Sequence, residues 1–385
     1  MVKHKIPMRA DLYRPPQRVI VKLGSQTVTH DDGGVDLSAL GAICHDLCQL
    51  RQGGVEVVLV SSGAIQVGRS IAPGLSDSTM AGKQALSALG QPALMSSYRE
   101  LFQRSQVLCA QVLVTHDDLR NRHRFLNARQ TILELLNQGV LPILNENDSV
   151  SFSEITVGDN DQLAAMVCEL VDGDLLLMLT GPDGLYKSDP NLDADAKPIK
   201  RYDFSAHDQE QVSTQGASTA GRGGMTTKLL AAEKLSKIGI ETILCSSGYP
   251  TPILRALTSE VGTLFTSEAS KTPLPKGGRT PTSRRAWLIS IMSNHCSLEV
   301  DTGAKKALLS SGSLLPSGII GVTGTFRRGD CIGIEHEGVM FACGLAEYDA
   351  KDIERIMGLN SNQLRKTLGF YFCDEVIHRD HFTLK

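Results

Sequence analysis

The sequence predicts an α/β chain: an open, mainly parallel sheet with helices on both faces, plus a small β-rich domain at the carboxyl end. Three features of the chain point to it. From Arg18 to Ser247, short β-branched apolar runs alternate with segments of helical apolar period, and such alternation gives βαβ units and a parallel sheet. The stretch SEASKTPLPKGGRTPTS (267–283) then shifts to Pro, Gly, Ser and Lys, the composition of a linker or surface loop. Beyond it short strands and turns recur. At 385 residues the chain is also long for one core. The expected division is a polar tail over 1–17, an α/β domain over 18–267, a linker over 268–283 and the β-rich domain over 284–385.

Pro7, Pro15 and Pro16 discourage regular structure in the tail. RVIVKLGS (18–25) is a short apolar run broken by glycine, as suits a buried parallel strand. In LSALGAICHDLCQL, Leu37, Leu40, Ile43, Cys44, Leu47 and Leu50 share one helical stripe, which Gly53-Gly54 ends. VEVVLV (55–60) is a second buried strand running into SSGA (61–64). Residues 82–104 read as a helix, QVLCAQVLVT (106–115) as a strand, 121–138 as a helix and VLPIL (140–144) as a strand. A helix over 161–171, the strand DLLLMLT (174–180), a polar insertion, a helix over 226–238 and the strand ETILCSS (241–247) follow. After the linker, AWLISIM, SLEVDTG, SGIIGVTGTFRRGD, CIGIEHEG and VMFACGLAEY read as a small β-rich barrel, with helices around Ala304–Leu309 and Asp352–Met357.

Composition excludes several function classes. A hydrophobic content of 41% and a charged content of 21% are ordinary for a globular chain, and a net charge of −3 argues against a general nucleic-acid binder. Nine cysteines, an odd number without a CxxC pair, indicate neither a disulfide framework nor a zinc ribbon. Cys44 and Cys48, four apart on a helical stripe, read as small buried hydrophobes. The ten histidines form no HExxH or comparable metal spacing, and His45, His116 and His123 read as surface or core residues. Met1–Pro16 lacks the apolar core of a signal peptide, and no run of about 20 apolar residues occurs. The expectation is a soluble, cytoplasmic protein with no membrane partner.

Chemistry concentrates at one edge of the predicted sheet. Ligands of open parallel sheets bind beyond the carboxyl ends of the strands. Lys22-Leu23-Gly24-Ser25, Ser61-Ser62-Gly63-Ala64, Thr180-Gly181 and the stretch NENDSVSFSEITVGDNDQLAA (145–165) all fall there. That last stretch carries Asn145, Glu146, Asn147, Asp148, Glu154, Asp159, Asn160 and Asp161 without a Lys or Arg. Two unit charges about 4 Å apart interact by roughly 4 kcal/mol near a protein surface, so crowded carboxylates call for a cation or a ligand with donors. The bland alternative is a solvated acidic loop with Asp159 as a helix N-cap. Gly221-Arg222-Gly223-Gly224-Met225-Thr226-Thr227-Lys228 offers a second feature, a glycine-rich helix start suited to an anion. Neither GxxxxGK[ST] nor GxGxxG after a strand occurs, and no GxSxG elbow gives serine-hydrolase chemistry a foothold. Phosphoryl transfer needs none of these motifs; it needs positioning and positive charge, which Lys22 and Lys228 can supply.

VKLGS, SSGAIQVG, KQALSALGQ, NARQT, NENDSV, VGDND, DGLY and GRGGMTTK, in this order and spacing, resemble the amino acid kinase family. SLLPSGI, GVTGTFRRGD and the HRD near the end are similar to the PUA domain attached to some of its members. The resemblance implies transfer of the γ-phosphate of ATP, with Mg2+, to the side-chain carboxylate of L-glutamate, giving γ-glutamyl phosphate for proline biosynthesis. Matched residue by residue, it implies that Lys22 and Lys228 stabilise the transferring phosphoryl group and that Asp161 orients them. It further implies that Ser62, Asn145, Asp148 and Asn160, with Asp159 beside them, contact glutamate. The ATP site would be Lys22, Thr180, Gly181, Arg222, Gly223, Gly224, Met225, Thr226, Thr227 and Lys228. No protein ligand to a metal is implied. In this picture the acidic residues read the amino group of glutamate while Asn and Ser donors meet its oxygens.

Two departures from the family pattern concern the nucleotide. The usual LTD-x-x-GLY is here Leu179-Thr180-Gly181-Pro182-Asp183-Gly184-Leu185-Tyr186, and the usual GTGGM is Gly221-Arg222-Gly223-Gly224-Met225. Arg222 is expected to add positive charge near the phosphates. The resemblance also implies a homo-oligomer and proline as feedback inhibitor. Kinases of the same family acting on aspartate, acetylglutamate or uridylate are disfavoured by NENDSV together with VGDND and the PUA-like domain. An RNA-binding role for that domain is not favoured either. Residues 284–385 hold twelve basic and twelve acidic side chains, without the basic excess that phosphate binding favours.

Overall fold

The computed structural model describes residues 6–151, 159–188, 193, 195–206, 222–271, 293–310 and 312–384. The chain divides into two compact units, Met1–Thr272 and Pro273–Lys385.

In the first unit the elements run β1 (Arg18–Leu23), α1 (Ser25–Val28), α2 (Leu37–Gln52), β2 (Glu56–Val60), α3 (Ala64–Ile71), α4 (Met80–Arg104) and β3 (Cys109–Val114). They continue with α5 (His116–Arg120), α6 (Arg122–Asn137), β4 (Leu141–Glu146), α7 (Asp159–Leu170), β5 (Leu175–Thr180) and the short strands β6 (Leu185–Tyr186), β7 (Pro198–Ile199) and β8 (Arg201–Asp203). The last part is α8 (Arg222–Ser236), β9 (Glu241–Ser246), α9 (Pro252–Thr258), β10 (Thr263–Thr266) and the turn α10 (Glu268–Lys271). Eight strands form one sheet in the order β3-β4-β2-β1-β5-β9-β10-β8. Its neighbours are parallel except for β10 against β9.

The continuous apolar runs form central strands because both faces are covered. Val19, Val21 and Leu23 join Val57, Leu59, Leu175, Leu177 and Leu179 in one apolar layer. Ile20 joins Val58, Val60, Leu176 and Met178 in the other. Cys44 and Cys48 sit in the first layer as the small hydrophobes their spacing suggested, and all nine cysteines are free thiols. Helix starts are fixed by side chains that accept from free N–H groups: Asp36 for α2, Thr79 for α4 and a Thr115–Asp118 capping box for α5.

The structure departs from the expected elements in a few places. The helix placed over 226–238 begins four residues earlier, at Arg222, so Gly223 and Gly224 belong to its first turn. Residues 268–271, assigned to the linker, form α10 of the first unit. The short elements α3, α9 and β10 were not expected; in so few residues no period develops. The tail is also more than a solvated extension. Residues 6–17 form neither helix nor strand, yet Arg9 is buried, its N–H donating to Leu257 O at 2.7 Å and its guanidinium to Val261 O at 3.0 Å. Tyr13 N–H donates to the Glu241 carboxylate at 3.2 Å, and Gln17 N–H to Asp174 Oδ2 at 2.8 Å. Prolines forbid a ladder here, but not docking.

The second unit holds a five-stranded sheet in the order β12-β11-β13-β14-β15, with β11 Ser293–Val300, β12 Ile319–Thr323, β13 Cys331–His336, β14 Val339–Leu345 and β15 Phe382–Leu384. Helices α11 (Thr302–Leu309), α12 (Ala350–Ile356) and α13 (Leu364–Leu368) pack with it. Leu298, Val300, Ile332, Ile334, Ile353 and Ile356 are among the residues of its core. The run AWLISIM (286–292) lies outside the described residues. No helix among the described residues is long and apolar enough to cross a membrane.

Candidate functional site

Strand register brings the polar segments to one edge. Lys22 in β1 pairs with Val60 of β2 and Met178 of β5, and Val60 pairs with Leu144 of β4. Ser61-Ser62, Asn145-Glu146 and Thr180 therefore lie at the carboxyl ends of adjacent strands. Helix α7 adds Asn160 and Asp161 in its first turn, and α8 adds Thr227 and Lys228.

Asp161 is the electrostatic centre. Its carboxylate is fully buried, Lys22 Nζ lies 2.5 Å from Oδ1, and Lys228 Nζ lies 3.1 Å from Oδ2. Thr227 Oγ is 2.8 Å from Oδ2 and 3.0 Å from Gly224 O. Lys228 Nζ also donates to Gly224 O at 3.0 Å, and Gln162 Nε2 to Thr227 O at 3.1 Å, so α7 and α8 are tied together. Burial opposes the charge on Asp161, but the two lysines overcome it and hold its pKa below the usual carboxylate range. Burial, with some repulsion from Lys228, lowers the proton affinity of Lys22, although Asp161 attracts it. The geometry gives two ammonium groups against one carboxylate, a net positive site at a helix start.

A second network lies beside it. Asn145 Oδ1 accepts from the backbone N–H of Glu146 at 3.0 Å and from Asn160 Nδ2 at 2.9 Å. Asn145 Nδ2 donates to Gln91 Oε1 at 2.8 Å, and Asn160 Nδ2 lies 2.8 Å from both Ser61 O and Ser62 Oγ. Ser62 stands just before Gly63, whose φ of 101° is left-handed backbone suited to glycine, at the start of α3. Asp148 accepts from Ser87 Oγ at 2.8 Å. The amide nitrogens of Asn145 and Asn160 thus face protein acceptors.

Thr180 is half-buried at the end of β5, and Gly181 is exposed with open space where a side chain would stand. Asp183 accepts from Tyr249 OH at 2.7 Å and Ser246 N–H at 3.2 Å, and Ser246 Oγ donates to Gly181 O at 2.8 Å. The carboxylate of this turn is thereby committed to the protein. Burial works against its charge, but its donors keep its pKa below the usual carboxylate range. Gly224 and Met225 occupy the first turns of α8 and Thr226 is exposed; the side chains of Arg222 and Asp159, and Gly223 beyond its helical assignment, lie outside what is described. No group of three or more His, Cys, Asp or Glu among the described residues could hold a metal ion.

Several further side chains of the quoted motifs take part in the site. Gln84, Ser87 and Gln91 belong to the quoted KQALSALGQ, and their spacing on one helical face was the available signal. Arg129 of NARQT is 1% exposed; its guanidinium donates to Leu170 O and, at 2.5 Å, to Asp172 Oδ2, fastening the carboxyl end of α7. Glu146 is paired with His116, Nδ1 to Oε2 at 3.0 Å.

A sequence model described as the amino acid kinase family matches residues 17–246, and one described as the PUA domain matches residues 297–368. A glutamate 5-kinase from Trichlorobacter lovleyi is 42% identical over 98% of this chain and 99% of its own length. A glutamate 5-kinase from Geobacter sp. (strain M21) is 41% identical over 98% and 100%. One from Thermus thermophilus is 40% identical over 96% and 97%.

Proposed function

This chain belongs to the amino acid kinase family and carries a PUA domain, and from that premise we propose that it transfers the γ-phosphoryl group of ATP to the side-chain carboxylate of L-glutamate. The product is γ-glutamyl phosphate, and the step opens proline biosynthesis. Full-length similarity to glutamate 5-kinases supports the substrate. The structural observation that carries the reading is Asp161, whose two oxygens each hold a lysine at the edge of the sheet.

The acceptor is already an anion, so its attack needs no strong base. The obstacle is bringing a carboxylate to a triphosphate. Lys22 and Lys228 offset that repulsion and stabilise the charge that spreads over the phosphoryl oxygens. Asp161 fixes both lysines before substrate arrives, which lowers the cost of ordering them during reaction. The first turn of α8, with Gly224 open beside Lys228 Nζ, suits the phosphates. Magnesium, which prefers phosphate oxygens and water to an all-protein cage, would enter with ATP and neutralise phosphate charge; no carboxylate cluster among the described residues would hold it alone. Ser62, Asn145, Asp148, Asp159 and Asn160 form the proposed glutamate side. Thr180, Gly181 and 222–228 form the proposed ATP side, with Arg222 adding charge. Feedback inhibition by proline, a homo-oligomer and a cytoplasmic location complete the reading, supported by family resemblance.

Hydroxylamine trapping tests it. The chain with L-glutamate, ATP and magnesium should yield γ-glutamyl hydroxamate, and Lys228→Ala should lose most of it. No hydroxamate from the wild type sinks the proposal. An unchanged KM for ATP in Arg222→Thr would remove Arg222 from it.

A further inference from the structure

Helix α4 faces the segment 145–151 in register. Gln91 Oε1 accepts from Asn145 Nδ2 at 2.8 Å, Ser87 Oγ donates to Asp148 Oδ2 at 2.8 Å, and Gln84 Nε2 donates to Ser151 O at 3.0 Å. Positions 84, 87 and 91 share one face of the helix, and they meet positions 151, 148 and 145. Ser87 and Gln91 are 3% and 7% exposed although polar, and Ser151 and Asn145 are buried too. A face of this kind is costly unless its groups are paired, and here each is paired to the same short segment.

The pairing also fixes amide direction. The atom of Asn145 that meets Glu146 N–H must be an oxygen, because a backbone N–H can only donate. Its nitrogen must then face Gln91, which has to present oxygen. At the other end, the Asn160 atom facing Ser61 O must be nitrogen, because a carbonyl can only accept. The polar atom left to Asn160 is Oδ1, an acceptor. Asn160 stands next to Asp161 in α7, and the Asp148 carboxylate, held by Ser87, is a second acceptor on the segment that α4 orients.

We infer that Ser87 and Gln91 are positioning residues for the amino acid: Ser87 orients Asp148, and Gln91 sets the Asn145–Asn160 amides, so that acceptors meet the α-ammonium group. The inference rests on the glutamate reading above and adds the helix face that imposes it. Neither residue touches the reacting atoms.

The test uses the full chain as wild type, Ser87→Ala, Ser87→Thr and Gln91→Leu, with thermal melts to verify folding. KM for L-glutamate, KM for ATP, kcat and the inhibition constant of glutarate are measured. Glutarate keeps both carboxylates and lacks the ammonium. Ser87→Ala and Gln91→Leu should each raise KM for glutamate about tenfold, the loss expected for a hydrogen bond to or near a charged group. The KM for ATP and the inhibition constant of glutarate should stay within about twofold, and Ser87→Thr should recover most of the glutamate affinity. Glutarate weakening in parallel with glutamate, ATP affinity falling by the same factor, or an unchanged glutamate KM in both variants would overturn the inference. Failure of the glutamate-kinase reading shows separately, as absence of hydroxamate from the wild type.

Discussion

At the scale of single residues, the decisive feature is a carboxylate serving two cations. Lys22 and Lys228 were legible as strand-end and helix-start lysines, and Asp161 as part of an acidic stretch; their meeting was implied by the family resemblance alone, because residues 22, 161 and 228 are joined by tertiary packing. The proton affinity of Lys22 is lowered by burial, so its charge is lost at a lower pH than that of an ordinary lysine. Asp161 stays ionised to below the usual carboxylate range. The profile of kcat/KM for glutamate against pH should therefore keep its acidic side free of Asp161 titration and fall on its alkaline side before about pH 10.4, the ordinary lysine value. Asp161→Asn should lower kcat by roughly 100-fold or more, in keeping with removal of a group that organises transition-state charge. An alkaline limb at the ordinary lysine value, or an Asp161→Asn variant with near wild-type kcat, would contradict this. The direction of the Asn145 and Asn160 amides was beyond the sequence, since an amide side chain donates or accepts with equal ease until backbone groups choose for it.

At the scale of elements, Gly68 of SSGAIQVG and Gly90 of KQALSALGQ belong to one contact. A Cβ on Gly68 would lie 1.9 Å from Leu86 O, and a Cβ on Gly90 1.8 Å from Ala64 O. Helices α3 and α4 therefore cross backbone to backbone, and this crossing sets how far α4 stands from the segment 145–151. Gly90→Ala must separate the helices. We expect it to destabilise the chain by about 3 kcal/mol or more, at the upper end of overpacking costs, and to weaken glutamate affinity, both read by denaturant unfolding and KM. Retention of both would show that the crossing can yield. The sequence displayed these glycines as motif letters, but a close approach has no period and no composition to announce it. Conversely, α2, α4, α6 and α8 were legible to within a few residues, because stripes of helical period run through them.

At the scale of the whole molecule, the parallel sheet followed from apolar runs that bury both faces, and the separate β-rich unit from the change of pattern after the proline-rich stretch. The short strands β6, β7, β8 and β10 were not visible, since two to four residues carry too little pattern. The docking of residues 9–17 was hidden because it runs through backbone groups and scattered arginines. Its anchor Glu241 is buried, and burial, with a contribution from Asp11 against the pull of Arg201 and Arg14, raises its pKa to about 7. Between about 4.5 and 7 the folded chain holds a proton that the unfolded chain has released, so stability from this group falls as pH rises through that window. Glu241→Gln should remove that slope, by on the order of 1–3 kcal/mol across the window. Parallel unfolding curves against pH for both proteins would refute the assignment.

The Asp161 clamp has a kinetic corollary. Its three members come from β1, α7 and α8, so no local nucleus can assemble them, and loop closure must precede the reward. A carboxylate buried before its lysines arrive would meet a desolvation penalty of several kcal/mol. In refolding, recovery of turnover should therefore track the slowest phase that joins these three elements, and activity becomes a timer for completion of the sheet.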